Sequence, residues 1–325
     1  MKRKINTRSM SRFVTGKYFI FVLCALVFAF FAVLAPSLCT VESIRNVLVN
    51  ASLTAIAGCG MTFAITRGGF DLSVGSVMAL STCIIAKMVP SVGIAPAILI
   101  SLTVAALVGV VNGLIITKLR IQTFVATLAT QIIIKGFALI YTGGLSVSIF
   151  KYTQLKVFSA SRVLGIPLPV IIAAAVFLTC HFLYKYCWFG IYLRAAGSNE
   201  KAARLSAVPV DKITILVFII TSFTASLSGL ITLSQVLTGN ASTGGSFALN
   251  AITVVVLGGT SLSGGSGFLG GTLAAAIMIS VIENGLTILD YSDDIQRLVI
   301  GLILVASLTI KTFMTPLANI DEVRE

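Results

Sequence analysis

Two nine-residue stretches carry most of the residues in this chain that do more than fill a membrane. Gly68-Gly69-Phe70-Asp71-Leu72-Ser73-Val74-Gly75-Ser76 recurs as Gly258-Gly259-Thr260-Ser261-Leu262-Ser263-Gly264-Gly265-Ser266, matching at the leading Gly-Gly, the central Leu-Ser and the closing Gly-Ser. Each copy interrupts an apolar run. Glycines there free the backbone, while the hydroxyls and one carboxylate offer hydrogen bonds among side chains that offer none. Among the acids, only Asp71 and Glu283 lie inside or at the edge of an apolar run, and an ionisable group at membrane depth is a functional candidate by default. Arg67, four residues earlier, offers Asp71 a structural alternative as ion-pair partner, or the carboxylate caps the following helix. Ser261 at the matching position of the second copy argues against a symmetric proton site. Glu283, beside Asn284, is expected near the outer end of its helix, close to water.

A second set of polar side chains is scattered through the apolar runs: Asn50, Asn112, Gln122, Gln131, Gln235 and Asn250. Each amide fits either an interhelical hydrogen bond or a contact to a hydroxyl-rich ligand. Bond-breaking chemistry finds no support. His181 is the one histidine and lacks the Cys, His or carboxylate companions of a metal centre. There is no G-x-x-x-x-G-K-[ST] loop, so the chain alone is not expected to hydrolyse nucleotide. Cys24, Cys39, Cys59, Cys83, Cys180 and Cys187 form no C-x-x-C pair and read as small buried residues. Trp188 with Tyr184, Tyr186 and Tyr192 reads as an interfacial aromatic belt.

The elements that must position these residues are membrane helices. A chain of 325 residues with 57% hydrophobic and 10% charged residues and a mean hydropathy of +1.04 cannot bury its apolar surface in one soluble core. The ruler of about 17 to 25 apolar residues per span places spans near 18–38, 46–66, 71–90, 93–117, 121–141, 167–187, 213–236, 247–260, 268–287 and 295–313. The fold class is therefore an all-α integral membrane protein of about ten transmembrane helices, one domain over 1–325. The run 18–35 exceeds a signal-peptide core and reads as a retained first helix. The net charge of +12 sits beside apolar runs rather than on a soluble basic face, which excludes a nucleic-acid module. Lys2, Arg3, Lys4, Arg8, Arg12 and Lys17 make residues 1–17 a basic cytoplasmic N-terminus. On the ten-span plan, 16 of the 23 Lys and Arg fall on or near the cytoplasmic side and 7 on the other. Both termini are expected in the cytoplasm.

The two motif copies are 190 residues apart, superposing spans one to four on spans seven to ten. Paired interruptions in two halves of a membrane protein point to a transport pathway. The eighth span is short and runs straight into Gly258-Gly259, so a re-entrant helix fits there, and an inverted relation between the halves stays open. Irregular backbone at membrane depth must be buried in protein or line a wet cavity. The glycine motifs thus serve as packing surfaces, as flexible half-helix ends that open and close a path, or as both. The largest inside loop, 194–210, holds Gly197-Ser198-Asn199, with Ser198 or Asn199 as N-cap, then a short helix through Glu200, Lys201, Ala202, Ala203 and Leu205, ended by Pro209. It fits a docking element or a plain solvated loop.

Several of these motifs together resemble the permease subunits of bacterial ATP-binding-cassette sugar importers, the ribose, arabinose, xylose and galactoside permease family. The resemblance runs through Met61 to Ser76, Gly197 to Val210, Leu249 to Gly265 and the Gly270-Gly271-Thr272-Leu273 step. It implies the importer permease fold in the bacterial cytoplasmic membrane. It also implies a second permease copy or paralogue, a cytoplasmic ATPase subunit holding the ATP and Mg, and an extracytoplasmic sugar-binding protein. This chain would bind no cofactor and be non-catalytic. Gly197, Ser198, Asn199, Glu200, Ala202, Ala203 and Leu205 become the coupling segment docked on the ATPase. Gly68, Gly69, Asp71, Ser73, Asn112, Gln131, Asn250, Gly258, Gly259 and Ser263 become gate or pathway residues. The family often has Gly-Gly-Asn at 197–199, glycine at Ala207 and isoleucine at Phe70, departures that bear on substrate. The competing reading is an ion-coupled secondary transporter of a small polar solute.

Overall fold

The computed structural model describes residues 19–322. The basic segment 1–17 expected in the cytoplasm lies outside them. The described chain is nearly all helix: α1 Phe19–Leu34, α2 Val41–Arg67, α3 Val74–Val92, α4 Ile94–Lys118, α5 Thr123–Thr142, α6 Leu168–Lys185, α7 Trp188–Ser198, α8 Glu200–Leu205, α9 Val210–Val236, α10 Phe247–Leu257, α11 Leu269–Ile288 and α12 Asp293–Glu322. Two small antiparallel pairs decorate the loops, β1 (Val147–Ser148) with β4 (Thr238–Gly239) and β2 (Arg162–Val163) with β3 (Ile166–Pro167).

Each of the ten predicted spans becomes a helix, but not each is long enough to cross. Among the described residues seven helices are both long and apolar enough: α2, α3, α4, α5, α6, α9 and α11. Helix α1 stops at Leu34, where Pro36 opens a 3-10 turn through Cys39. Helix α10 has 11 residues, about 16 Å at 1.5 Å per residue, roughly half of a hydrocarbon core. The expected short eighth element is therefore present.

The local sequence explains where the helices begin and end. Thr40 caps α2, its Oγ1 accepting the Ser43 N–H at 3.3 Å. Gly93, with φ of 85°, turns α3 directly into α4. Helices α2 and α9 form the centre of the bundle, with α2 packed on α6, α9, α10 and α11, and α9 on α2, α3 and α4. The interior mixes large apolar side chains such as Phe63, Met61 and Phe218 with many small and hydroxylated ones. Ser226 on α9 bonds Ser81 of α3 at 2.8 Å and Ser101 of α4 at 3.2 Å. Small residues and hydroxyl pairs hold membrane helices together because lipid supplies no hydrophobic drive between them. Helices α4, α5 and α6 lie at the edge, exposing Leu99, Leu107, Ile140 and Leu178. The cysteines are all free. Cys59, Cys83 and Cys180 are buried as expected, whereas Cys39 is exposed on the turn after α1.

Candidate functional site

The two glycine motifs meet at one end of the bundle. Both end a helix in the same way. Gly68 N–H bonds Ile65 O at 2.9 Å and Gly69 N–H bonds Ala64 O at 3.0 Å; Gly259 N–H bonds Val256 O at 3.1 Å and Thr260 N–H bonds Val255 O at 3.2 Å. These are paired Schellman caps, each with its glycine at φ of 93°. The caps put Gly68 opposite Gly259, one residue away from the pairing with Gly258 that the sequence match suggests. The copies then touch: Gly265 N–H donates to Thr66 O at 2.8 Å, and a side chain on Gly264 would lie 3.2 Å from Gly68 Cα. The two loops thus share one end of the bundle.

Glycine does two different jobs here. Gly68 and Gly259 face open space and are required by their backbone angle. Gly258 is required by crowding, since a Cβ there would sit 2.5 Å from the Gly271 backbone. Behind it, Thr62 and Thr272 share a hydrogen bond of 2.9 Å that pins α2 to α11. The second loop has its own post, the Tyr184 hydroxyl, which accepts the Gly267 N–H at 2.7 Å. Tyr184 stacks on Phe63 and lies under the Arg194 guanidinium.

The segment 194–210 begins inside this junction. Gly197 packs against Thr66 O and the Gly265 amide so closely that any side chain would collide with them. Gly197 and Ser198 form the last turn of α7, which corrects Ser198 as a cap candidate. Asn199 is the cap, its Oδ1 accepting the Ala202 N–H at 3.0 Å. Helix α8 stops at Leu205, before Pro209, because Ala207 takes the left-handed conformation with φ of 58°. A glycine at that position fits the backbone better than alanine does.

Within α8 the side chains divide. Ala203 is 5% exposed and packs with Ala196 and Val210, whereas Leu205 is 90% exposed. Glu200, about half exposed, forms a latch 2.8 Å from Arg67 and 2.9 Å from Arg204. Burial pushes its carboxyl up, but the hydrogen bonds and charges of Arg67 and Arg204 outweigh this and hold it below the usual carboxylate range. Arg204 also reaches Asp211 at 2.6 Å. A cleft of about 570 Å³ opens beside the latch, lined among others by Arg67, Gly68, Gly69, Arg120, Gln122 and Glu200.

Arg67 does not pair with Asp71. Besides Glu200 it bonds Thr214 Oγ1 at 2.8 Å, so the expected 67–71 ion pair gives way to a tether between the end of α2 and α9. Asp71 is fully buried and acts as a strut; the N-cap of α3 is Ser73, and no side chain caps that helix. The Asp71 Oδ1 accepts from the Ser73 N–H at 3.0 Å and the Ser73 hydroxyl at 2.5 Å, and its Oδ2 from the Thr221 hydroxyl at 2.7 Å. Asn112 donates to Ser73 Oγ at 3.0 Å. The entry to α3 is thereby tied to α4 and α9. Asp71's partners are two hydroxyls and one backbone amide, and no basic side chain bonds it.

The remaining sequence candidates separate. Ser263 is exposed on the second loop, with the Ser261 hydroxyl 3.4 Å away. Gln131 on α5 and Asn250 on α10 are half-buried and belong to neither network. Asn50, Gln235 and Glu283 gather at the opposite end of the bundle. Sequence reasoning missed Thr66, Gly197's role as a wedge, Thr221 and Tyr184. The threonines at 62 and 66 lie one turn apart, and both bond back to their own helix, a spacing that hides them as routine helix residues. Among the described residues no three His, Cys, Asp or Glu side chains gather as a metal centre.

Residues 43–308 match the family described as Branched-chain amino acid transport system / permease component. The chain is 35% identical to a ribose import permease of Haemophilus influenzae, over 94% of this chain and 97% of that protein. It is 32% identical to the L-arabinose transport system permease of Escherichia coli over 90% of both chains, and 32% identical to that organism's D-allose transport system permease over 90% and 91%. No solved structure matches. Permeases of this kind are non-catalytic, multi-pass membrane subunits without a cofactor, and they work with a partner ATPase and a binding protein. The chain belongs to this family, the permeases of bacterial ATP-binding-cassette importers.

Proposed function

We propose that this chain conducts a monosaccharide across the bacterial cytoplasmic membrane, as one membrane domain over 1–325 paired with a second copy or a paralogue. The termini and the 194–210 segment face the cytoplasm. The exposed side of α8, led by Leu205, docks on the ATPase, and Gly197 carries its displacement into the two glycine breaks. Gly68, Gly69, Gly258, Gly259 and Ser263 form the gate, Asp71, Ser73 and Asn112 hold the entry to α3, and Gln131 and Asn250 are pathway contacts. The observation that carries this reading is the meeting of Thr66, Gly265 and Gly197 at one backbone junction. A latch of Arg67, Glu200, Arg204 and Asp211 would keep α8 moving with the bundle as one body. Sugar as the substrate class is supported by the names of three relatives that match nearly end to end. An ion-coupled carrier would want a titrating pair at mid-depth, and Asp71 is instead spent on hydroxyl and amide donors.

The test is uptake into proteoliposomes holding the permease, its ATPase and internal ATP, with the binding protein outside. The expected result is import of at least one of D-ribose, L-arabinose or D-allose that needs ATP, stops with a hydrolysis-dead ATPase and ignores a proton ionophore. Import abolished by the ionophore would replace this reading with the ion-coupled one, and import of leucine alone would refute the sugar class.

A further inference from the structure

At the end of the bundle opposite the glycine junction, four helices enclose a second cavity of about 330 Å³. Its polar lining is Asn46 and Asn50 from α2, Gln235 from α9, Glu283, Asn284 and Thr287 from α11, and Gln296 from α12. No basic side chain lines it. Gln296 is held, its amide nitrogen donating to Thr287 Oγ1 at 3.1 Å and to Tyr291 O at 3.3 Å. Among the described residues, the side chains of Asn46, Asn50, Gln235, Glu283 and Asn284 make no hydrogen bond to another protein group, and Asn284 Oδ1 is buried without a partner. Asn46, Asn50 and Gln235 are exposed toward the cavity, so the buried Asn284 Oδ1 is the atom that most needs water or a ligand, an unpaired buried group costing on the order of 1 to 3 kcal/mol.

We infer that this cavity is a solute subsite for a neutral, polyhydroxylated molecule, entered before the glycine breaks open; the inference rests on the sugar reading above. Amides offer both a donor and an acceptor, and a carboxylate offers acceptors only, which together match hydroxyl groups that donate and accept at once. Glu283, with Asp293 near it and no basic residue in the lining, repels sugar acids and sugar phosphates. Asp293 lies close enough to Glu283 to act on it electrostatically, but two carboxylates fall short of the oxygen-ligand set of a divalent-cation cage, and among the described residues no third metal-ligating side chain joins them. The size stands at the small end of ligand pockets, about 300 to 1,000 Å³, suited to one sugar ring. The position fits passage as well. Asn50 and Thr66 lie on the same helix, about 24 Å apart along its axis, and α11 starts at the second break and ends at this cavity. A solute held here rests against the two helices whose far ends form the junction.

The test uses the full transporter in proteoliposomes with Glu283→Gln and Asn284→Leu, neither of which touches the ATPase end. Import of the sugar carried by the unaltered protein should fall at least tenfold in each, while membrane abundance and ATP hydrolysis hold. A second arm places Asn46→Cys in a Cys39→Ser background and follows labelling by a membrane-impermeant thiol reagent. The transported sugar should slow that labelling and leucine should not. Unchanged import in both variants, or labelling indifferent to saturating sugar, overturns the subsite and leaves the transport reading standing. If the variants fail to accumulate, the labelling arm decides. An unaltered transporter that imports none of the three sugars refutes the sugar reading before any residue of the cavity is changed, so the two failures are distinct.

Discussion

The Thr66 carbonyl accepts the Gly265 amide at 2.8 Å, and this one backbone bond joins the ends of the two related motifs. Its two sides, the last turn of α2 and the loop between α10 and α11, lie far apart in sequence, and Gly197 is wedged against both partners. The bond lies where a push on α8 would be felt first. The close backbone approach explains why three separate glycine positions, 197, 264 and 265, are needed in one small volume.

Asp71 should tolerate loss of charge but not loss of hydrogen bonding. Asp71→Asn keeps an oxygen for the two Ser73 donors, and Thr221 can turn its hydroxyl to the Phe218 carbonyl it already touches at 2.9 Å. Asp71→Leu strands those donors at a cost of roughly 1 to 3 kcal/mol each. Asn is expected to keep most ATP-driven import and thermal stability in detergent, and Leu to lose both. Loss of import in Asn with full stability would point back to a titrating role.

Gly258 and Gly259 should fail differently despite being neighbours. Gly259→Ala meets no atom and suffers only its backbone angle, about 1 to 2 kcal/mol, so the protein should accumulate with reduced import. Gly258→Ala meets the Gly271 backbone at 2.5 Å and should lower membrane abundance in step with import. Quantitative immunoblots beside initial import rates separate the two, and equal abundance in both variants would contradict the crowding argument.

Leu205→Asp and Ala203→Asp divide docking from packing. Leu205 is exposed, so its variant should insert normally yet lose copurification with the ATPase and at least tenfold of import. Ala203 is enclosed by Ala196 and Val210, and a charge there must be buried unpaired, which should reduce the permease itself. Normal ATPase copurification with Leu205→Asp would remove α8 as the docking element.

Much of the fold is legible in sequence because apolar run length reports helices directly: the glycine interruptions, the short α10 and the Asn199 cap are all readable from residue type and spacing. The register of the two motifs is not, because identity aligns Gly68 with Gly258 while hydrogen bonding aligns it with Gly259. Residue types alone cannot separate a glycine needed for its angle from one needed for room. Arg67 looked like the partner of Asp71 because they are four apart, but Gly68 ends the helix between them and sends the side chains different ways. Of Asp71's two partners Ser73 is local, but Thr221 comes from a distant helix, as does the Asn112 that backs Ser73, and nothing local announces those two. The far cavity was half visible: Asn50, Gln235 and Glu283 stood out as polar in apolar runs, but only folding gathers them.

The central claim is that ATPase movement reaches the glycine breaks through Gly197. Gly197→Ala drives a methyl into the Thr66 carbonyl and the Gly265 amide, so the junction itself must shift, while the outer face of α8 carries no change. The decisive measurement is the ratio of sugar imported to ATP hydrolysed in proteoliposomes containing that variant with its ATPase and binding protein. The account predicts hydrolysis and ATPase copurification near those of the unaltered transporter, with the ratio down at least tenfold. An unchanged ratio at full abundance would contradict it.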